Sequence, residues 1–323
     1  MKTHVIAKDS LILIDWLTFS TKIWSESEII QLLQLQDVTW EHIDAYRYGY
    51  RHRCSFGGIS ILSDGYSEDM GICIDISGQG CRSFEDFSSL SWIDLFKILL
   101  EPLNEFNITH IDLAFDDHTG ILDIGQLLDD TDDHWYRSRS RWWKVEYGST
   151  GTTIYHGSPK SNIRTRIYDK AAERGLLDDT HWIRVELVLR EENAVGAARA
   201  IIDKNDIGPV FSGILCNYLV YCEPSEDSNR SRWPVAEYWQ KLIDSVAAIH
   251  IASKPGTEYN VFRLRHTILQ QYSGAIYTWI QLYGIEGLED LLKQRRSPLN
   301  PNHKRLLMLY EKWKAGEISA EDL

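Results

Sequence analysis

The sequence predicts an α+β fold: two similar halves forming one mainly antiparallel central sheet, followed by a mostly helical C-terminal region. Three observations predict it. Residues 11–20, LILIDWLTFS, are echoed by residues 108–117, ITHIDLAFDD, each an apolar run broken by an aspartate and ending in a polar exit. Each run is followed by a helix, several short strands and another helix, giving a period of about 97 residues from Asp15 to Asp112. That period exceeds solenoid repeats and fits two fused α+β halves. From about residue 209 the alternating pattern gives way to helical periodicity. The expected divisions are residues 1–107, 108–208 and 209–323.

In the first half, residues 11–20 are rich in strand formers. Ser25 and Glu28 have capping-box spacing before an apolar helix at 29–35. Strand-like runs follow at 46–56, with Arg47, Arg51 and Arg53, and at 58–63. GICIDIS at 71–77 is another strand, ended by Gly78-Gln79-Gly80, and Ser91 with Asp94 caps a helix at 92–100.

In the second half, the strand at 108–117 leads to a short helix near 124–128 and a strand-like run at 135–147. A hairpin, the strand WIRVELVLR at 182–190 and a helix at 192–203 complete it. Beyond a polar break at 223–230, Trp233-Pro234 opens a helix, because Pro suits a first turn. Helical runs are expected at 235–251, 259–283, 285–295 and 303–314.

The hairpin carries the chemistry. Residues 152–155 form its first strand, and Gly157 and Pro159 punctuate the turn. Arg164, Arg166 and Tyr168 stand at i, i+2 and i+4 of the second strand, so they share one face. Guanidinium forks hold phosphate oxygens bidentately, and a phenol oxygen can attack phosphorus. The structural alternative is a half-buried edge strand with a solvated basic face.

At 43% hydrophobic and 25% charged residues, the 323-residue chain can bury a sizeable core. Its net charge of −13 argues against a generic nucleic-acid coat. Between His134 and Lys170, however, eight cationic side chains face only Glu146 and Asp169, a local charge of +6. An acidic protein with one basic strip can hold DNA locally and repel it elsewhere. The five cysteines form no Cys-x-x-Cys pair, the pattern of reduced thiols in a cytoplasmic protein. No signal pattern or membrane-spanning apolar run occurs.

Acidic residues interrupt strands that would otherwise be apolar: Asp112 in HIDLAF and Glu186 in RVELVL. Asp112 and Asp116 are four apart and so share a face. Carboxylates converging from neighbouring strands suit Mg²⁺ or Mn²⁺, which offsets charge as a phosphate is attacked. Equally, Glu186 could pair with Arg184 or Arg166 across the sheet and Asp112 could cap a turn. Asp15, at the matching position of the first half, is a relic, a structural acid or an additional ligand. Other chemistries are excluded by their missing signatures: a phosphate-cradling P-loop, a dinucleotide glycine motif, a zinc-deaminase motif and a His-hydrophobic-His metal pair. Cys216 and Cys222 have the wrong spacing for a zinc site.

The motifs IDWLTFS (14–20), SGQGCR (77–82), HIDLAFDD (110–117), YHGSPKSNIRTRIYDKAAE (155–173) and RVELVLR (184–190) together resemble the Rep_trans replication initiation factors. These are rolling-circle initiators of plasmids and filamentous phages, with relaxase relatives on integrative elements. The likeness runs from about residue 10 to 205, is anchored at Gly157, Ser158, Ser161, Arg166, Tyr168, Lys170 and Glu173, and points to the phage branch.

The resemblance implies nicking of one strand at a double-stranded origin and a 5′-phosphotyrosine link, without ATP. It makes Tyr168 the nucleophile, with Tyr155 on the paired strand as the alternative. It gives the divalent cation to Asp112, Asp116 and Glu186, and the scissile phosphate to Arg166 and Lys170. Arg164 and Lys160 extend that phosphate-binding strip. DNA is the expected partner, both as supercoiled origin duplex and as single strand. Origin recognition, dimerisation or recruitment of a host helicase would fall to the helical third. A DNA-binding protein without cleavage is the rival reading, and a ring packed into the core with its acids tied up in ion pairs would favour it.

Overall fold

The computed structural model describes residues 10–148, 151–176, 180–248, 272–294 and 301–315, together with 264, 268 and 299. The first half supplies β1 (Leu11–Thr21), α1 (Glu26–Leu32), β2 (Glu41–Arg47), β3 (Tyr50–Phe56), β4 (Ile59–Gly65), β5 (Ile72–Ser77), α2 (Gln79–Phe87) and α3 (Trp92–Leu100). The second supplies β6 (Phe106–Asp117), α4 (Ile124–Asp132), β7 (Tyr136–Ser138), β8 (Trp143–Gly148), β9 (Gly151–His156), β10 (Ile163–Asp169), α5 (Lys170–Glu173), β11 (Ile183–Arg190) and α6 (Glu192–Lys204). Then follow α7 (Gly208–Tyr218), β12 (Leu219–Tyr221), α8 (Glu237–Ala248), α9 (Ser273–Lys293) and α10 (Pro301–Lys314).

Ten strands make one antiparallel sheet, β2-β3-β4-β5-β1-β6-β11-β10-β9-β8. Outward from the central pair β1 and β6, the two wings repeat one winding, which is the duplication the echo of 11–20 in 108–117 announced. The register sets Trp16 opposite Asp112, and a bulge between Ile14 and Trp16 leaves Asp15 unpaired.

Strand alternation divides the sheet into two faces. Ile111, Leu113 and Phe115 of β6 and Val185, Leu187 and Leu189 of β11 are all fully buried on one. Helices α2, α3 and α6 pack there. Ala194, Ala197 and Ala198 line the buried stripe of α6, and such short side chains let a helix axis approach the strands closely. Helices thus cover the apolar face, and the charged residues occupy the other.

Several elements differ from expectation. The run at 46–56 is two strands, because Tyr48 and Gly49 take φ of 51° and 85° and turn the chain into a hairpin. Gly78-Gln79-Gly80 does more than end β5: α2 begins there and buries Cys81 and Phe84. The run at 135–147 splits, with β7 leaving to pair with β12 in a separate two-stranded sheet. The division at 208/209 falls at the start of α7, whose Phe211 packs on Phe115 with ring centroids 6.4 Å apart. Helix α8 starts at Glu237 rather than beside Pro234, because Val235 is bridged to Cys222.

Of the helix expected at 259–283, residues 259–271 lie mostly outside the described residues, as do residues 249–251 of the helix expected at 235–251. The rest of that helix and the one expected at 285–295 form one element, α9, broken at Gly284 with φ 72°. Among the described residues no helix is long and apolar enough to cross a membrane.

On the apolar side of β9, His156 is fully buried, with the Tyr136 ring 4.5 Å away and the Tyr221 hydroxyl 3.1 Å from its Nε2. Burial pushes this imidazole from 6.5 down to about 3. Below about pH 6.5 the unfolded chain takes up a proton that the folded chain refuses, so stability falls with pH over that window. Lowering pH from 6.5 to 5 should remove about 1–2 kcal/mol through this one residue. Urea titrations should show a smaller loss over that interval in His156→Gln; parallel curves would show that some other group carries the effect.

Candidate active site on the polar face

Three rows of side chains cross the second half of the sheet, fixed by strand register. Arg164, Val188, Asp112 and Trp16 form one. Tyr155, Arg166, Glu186 and Ala114 form the next. Thr153, Tyr168, Arg184 and Asp116 form the third. The alternation that buries Ile167 and Val185 on the helical side places these residues together opposite it.

Tyr168 is 5% exposed, and its surroundings are charged. Its hydroxyl donates to Glu186 Oε2 at 3.2 Å, and Lys170 Nζ donates to the phenol oxygen at 3.4 Å. The Arg166 guanidinium lies 5.2 Å from the ring centroid. Burial, reinforced by the negative charge of Glu186, holds the phenol well above its ordinary range. It therefore keeps its proton at neutral pH and needs an acceptor before it can attack. Lys170 is held in turn by Glu173 Oε2 at 2.7 Å in α5, which Asp169 caps by accepting from the Ala172 amide.

Glu186 is 1% exposed, and its second oxygen accepts from Arg166 Nη1 at 2.6 Å. Burial raises its carboxyl to about 7 against the opposing pull of Arg166. The cross-strand pair with Arg166, one of the two open alternatives, is therefore formed.

Asp116, expected as a metal ligand, is engaged on both oxygens by Arg184, Nε to Oδ1 at 2.6 Å and Nη2 to Oδ2 at 2.7 Å. Arg184 Nη1 also reaches Asp15 Oδ2 at 2.8 Å. Burial would raise the Asp15 carboxyl, but Arg184, Lys170 and Arg82 outweigh it and hold it at about 2. Of the three roles open to Asp15, the structural acid matches this geometry.

Asp112 caps no turn; Asp117 does so instead, accepting from the Thr119 and Leu122 amides. Asp112 Oδ1 lies 2.7 Å from His110 Nε2, yet the two are not aligned for a hydrogen bond. Neither atom has another hydrogen-bond partner among the described residues, and both are buried. The ring nitrogen and the carboxylate oxygen therefore stand within ion-pair distance of each other, with no further hydrogen-bond partner among those residues. Burial raises the Asp112 carboxyl, and His110 partly offsets this. His110 was missed from the sequence although its spacing, two residues before Asp112 in HIDLAF, puts it on the same face. Asp112, Asp116 and Glu186 thus share a face but are not gathered into one ligand set: Asp116 belongs to Arg184, and Glu186 to Arg166 and Tyr168.

Tyr155 is half-buried, with the Arg164 guanidinium 4.0 Å over its ring. Burial raises its phenol too. Lys160 stands exposed in the turn at the far end of the hairpin, roughly five residues along the strand from Tyr168 at ~3.3 Å each. That turn is fixed by Gly157, with φ 102°, where a Cβ would meet the Tyr218 hydroxyl at 2.6 Å. The same hydroxyl donates to the Ile163 carbonyl at 2.6 Å.

Comparison with known proteins accounts for this architecture. Residues 11–98 match the rolling circle replication initiation protein N-terminal domain. The chain is 27% identical over 277 residues to the "Putative DNA relaxase NicK" of Bacillus subtilis (strain 168), covering 80% of this chain and 78% of that protein. A rolling circle replication initiator protein from Geobacillus stearothermophilus, at 29% identity, superposes with a TM-score of 0.69 over 76% of this chain and 99% of its own. Residues 106–294, more than half the chain and including the whole second wing of the sheet, match the replication initiation factor family, and the chain belongs to that family.

Proposed function

We propose that the protein is a rolling-circle strand transferase that cuts one strand of an origin with Tyr168 and remains attached through a 5′-phosphotyrosine. The observation that carries this reading is the Tyr168 hydroxyl, hydrogen-bonded to Glu186 and flanked by Lys170 and Arg166. The phenol oxygen bonds to phosphorus as the bond to O3′ breaks, and Glu186 is already in place to take the phenolic proton. Arg166 and Lys170 hold the non-bridging oxygens, Arg164 the next stretch of backbone, and Lys160 DNA farther along the hairpin. Arg166 would exchange one partner for another, Glu186 for phosphate.

His110 and Asp112 are the residues that fit a divalent cation, while Glu186 stays with Arg166 and Tyr168 as the proton acceptor. When bound, Mg²⁺ or Mn²⁺ would offset the charge that builds on the phosphate during attack. Supercoiled origin plasmid incubated with the protein and Mg²⁺ should give nicked circles carrying covalently bound protein. EDTA should stop nicking, and Asp112→Asn should slow it by on the order of 10²-fold or more. Full nicking in EDTA would remove the cation from the reading.

A second reading rests on a specific observation. Tyr168 is nearly buried, and Asp116 and Glu186 are held in ion pairs, as in a protein that binds an origin without cutting it. Covalent adduct formation separates the two, since a binding protein leaves the plasmid supercoiled. The similarity to a relaxase as well as to an initiator leaves the setting to the neighbouring genes: replication of a phage or plasmid, or transfer of an integrative element. We assign origin recognition, or contacts with a second copy or a host helicase, to the C-terminal region from residue 209 onward.

A further inference from the structure

We infer that Glu26, His42 and His52 form a second metal site, for a zinc-like divalent transition ion, on the first half of the sheet and separate from the strand-transfer centre. The three come from different elements. His42 lies on the sheet's edge strand β2, His52 on β3 and Glu26 in the first turn of α1. The β2–β3 register pairs Asp44 with His52 and His42 with Cys54, so the two histidines are diagonal neighbours on one face. Glu26 is placed by the capping box of Ser25 and Glu28 that starts its helix.

Their donor atoms converge. His42 Nδ1 and His52 Nε2 are 3.3 Å apart, and the two rings stack with an interplanar angle of 21°. Glu26 Oε1 is 3.7 Å from His42 Nδ1, and its Oε2 is 3.8 Å from His52 Nε2. Among the described residues these are the His, Cys, Asp or Glu side chains whose possible ligand atoms gather this closely. Zinc–nitrogen bonds of about 2.0–2.1 Å in a tetrahedron set neighbouring ligand atoms roughly 3.3–3.4 Å apart. The separation of the two imidazole nitrogens already meets that requirement, and small rotations of Glu26 would supply the third.

An outer partner is also present. Asp44 Oδ1 lies 3.5 Å from His52 Nδ1, the ring nitrogen turned away from the cluster. A carboxylate behind a ligating histidine fixes its tautomer and orientation, as at established zinc sites. Two imidazoles and one carboxylate select zinc and its transition-metal neighbours over Mg²⁺, which prefers oxygen ligands. His42 is exposed, so the fourth position faces solvent. A bound ion would clip the edge hairpin to α1. That hairpin ends at Arg47, which pairs with Asp75 on the polar face.

The test uses untagged full-length protein, stripped with chelator and dialysed. Titration with Zn²⁺ should load one ion at micromolar concentration and raise the thermal midpoint, an increase that millimolar Mg²⁺ does not reproduce. His42→Ala and His52→Ala should each weaken zinc binding at least tenfold and abolish the midpoint shift, while the metal-free midpoint stays close to that of the parent. Asp112→Asn should keep both the zinc and the shift, which distinguishes this site from the centre around Tyr168. The proposal is overturned if the stripped protein takes up no zinc, or if the His42→Ala/His52→Ala double variant binds it as the parent does.

Discussion

Tyr168→Phe should form no covalent adduct with supercoiled origin DNA and should nick it at least ~10³-fold more slowly, the scale seen when a nucleophile is removed. Origin binding should stay within about twofold, because Arg164, Arg166 and Lys170 are untouched. The ring keeps its place against those cations, so the fold should persist. Removing the hydroxyl leaves Glu186 Oε2 without its donor, at a cost of about 1–1.5 kcal/mol. Tyr155→Phe is the paired measurement and should retain the adduct, since Tyr155 sits on the neighbouring strand under Arg164 and away from the Glu186 hydrogen bond. An adduct surviving in Tyr168→Phe and lost in Tyr155→Phe would reverse the assignment. An adduct in neither variant would mean that Tyr155 is also required for the first cut.

The fold was legible where local chemistry decides the backbone. Ser25 with Glu28 and Ser91 with Asp94 announced α1 and α3, and both caps are formed as read. The echo of LILIDWLTFS in ITHIDLAFDD announced the two central strands, which pair with each other. What was missed depends on distant partners. Residues 135–147 read as one strand, but β7 is drawn away by β12, some eighty residues on. Helix α7 carries no side-chain cap, and its packing on Phe115 was invisible in the chain order.

The candidate site shows the same division. Period-two alternation was enough to put Arg164, Arg166 and Tyr168 on one face, and Asp112 and Asp116 on one face. Alternation does not say which strand lies next to which. The rows that join Tyr168 to Arg184 and Arg166 to Glu186 exist only because β10 lies against β11. That neighbour relation and the pairing of β11 with β6 convert two acids expected at a cation, Glu186 and Asp116, into ion-pair partners. His110 was within reach of sequence reasoning: a histidine two residues before a strand aspartate is one substitution away from a His-hydrophobic-His metal pair.

The largest expected loss of stability follows from that pairing. Arg184 is 1% exposed and spans two carboxylates, forked onto Asp116 and reaching Asp15 in the bulge of β1. It therefore fastens β11 to β6 and the second half to the first. Arg184→Ala should lower unfolding free energy by about 3–5 kcal/mol, because it leaves the buried Asp116 carboxylate without its forked partner and takes from Asp15 its ion-pair partner. Arg184→Lys should recover only part of this, since an ammonium cannot make the two parallel bonds to Asp116.

The pH dependence identifies the cause. In the parent, Asp15 is held at about 2, so its contribution is present above the ordinary carboxylate range and fades as pH falls toward 2. In Arg184→Ala, burial without that cation should move the Asp15 carboxyl upward instead, and acid should relieve its less compensated charge by protonating it. The stability gap between parent and variant should therefore narrow steadily from pH 7 to pH 4 in urea titrations. A constant gap across that range would mean that Arg184 acts through packing of its side chain rather than through its charge.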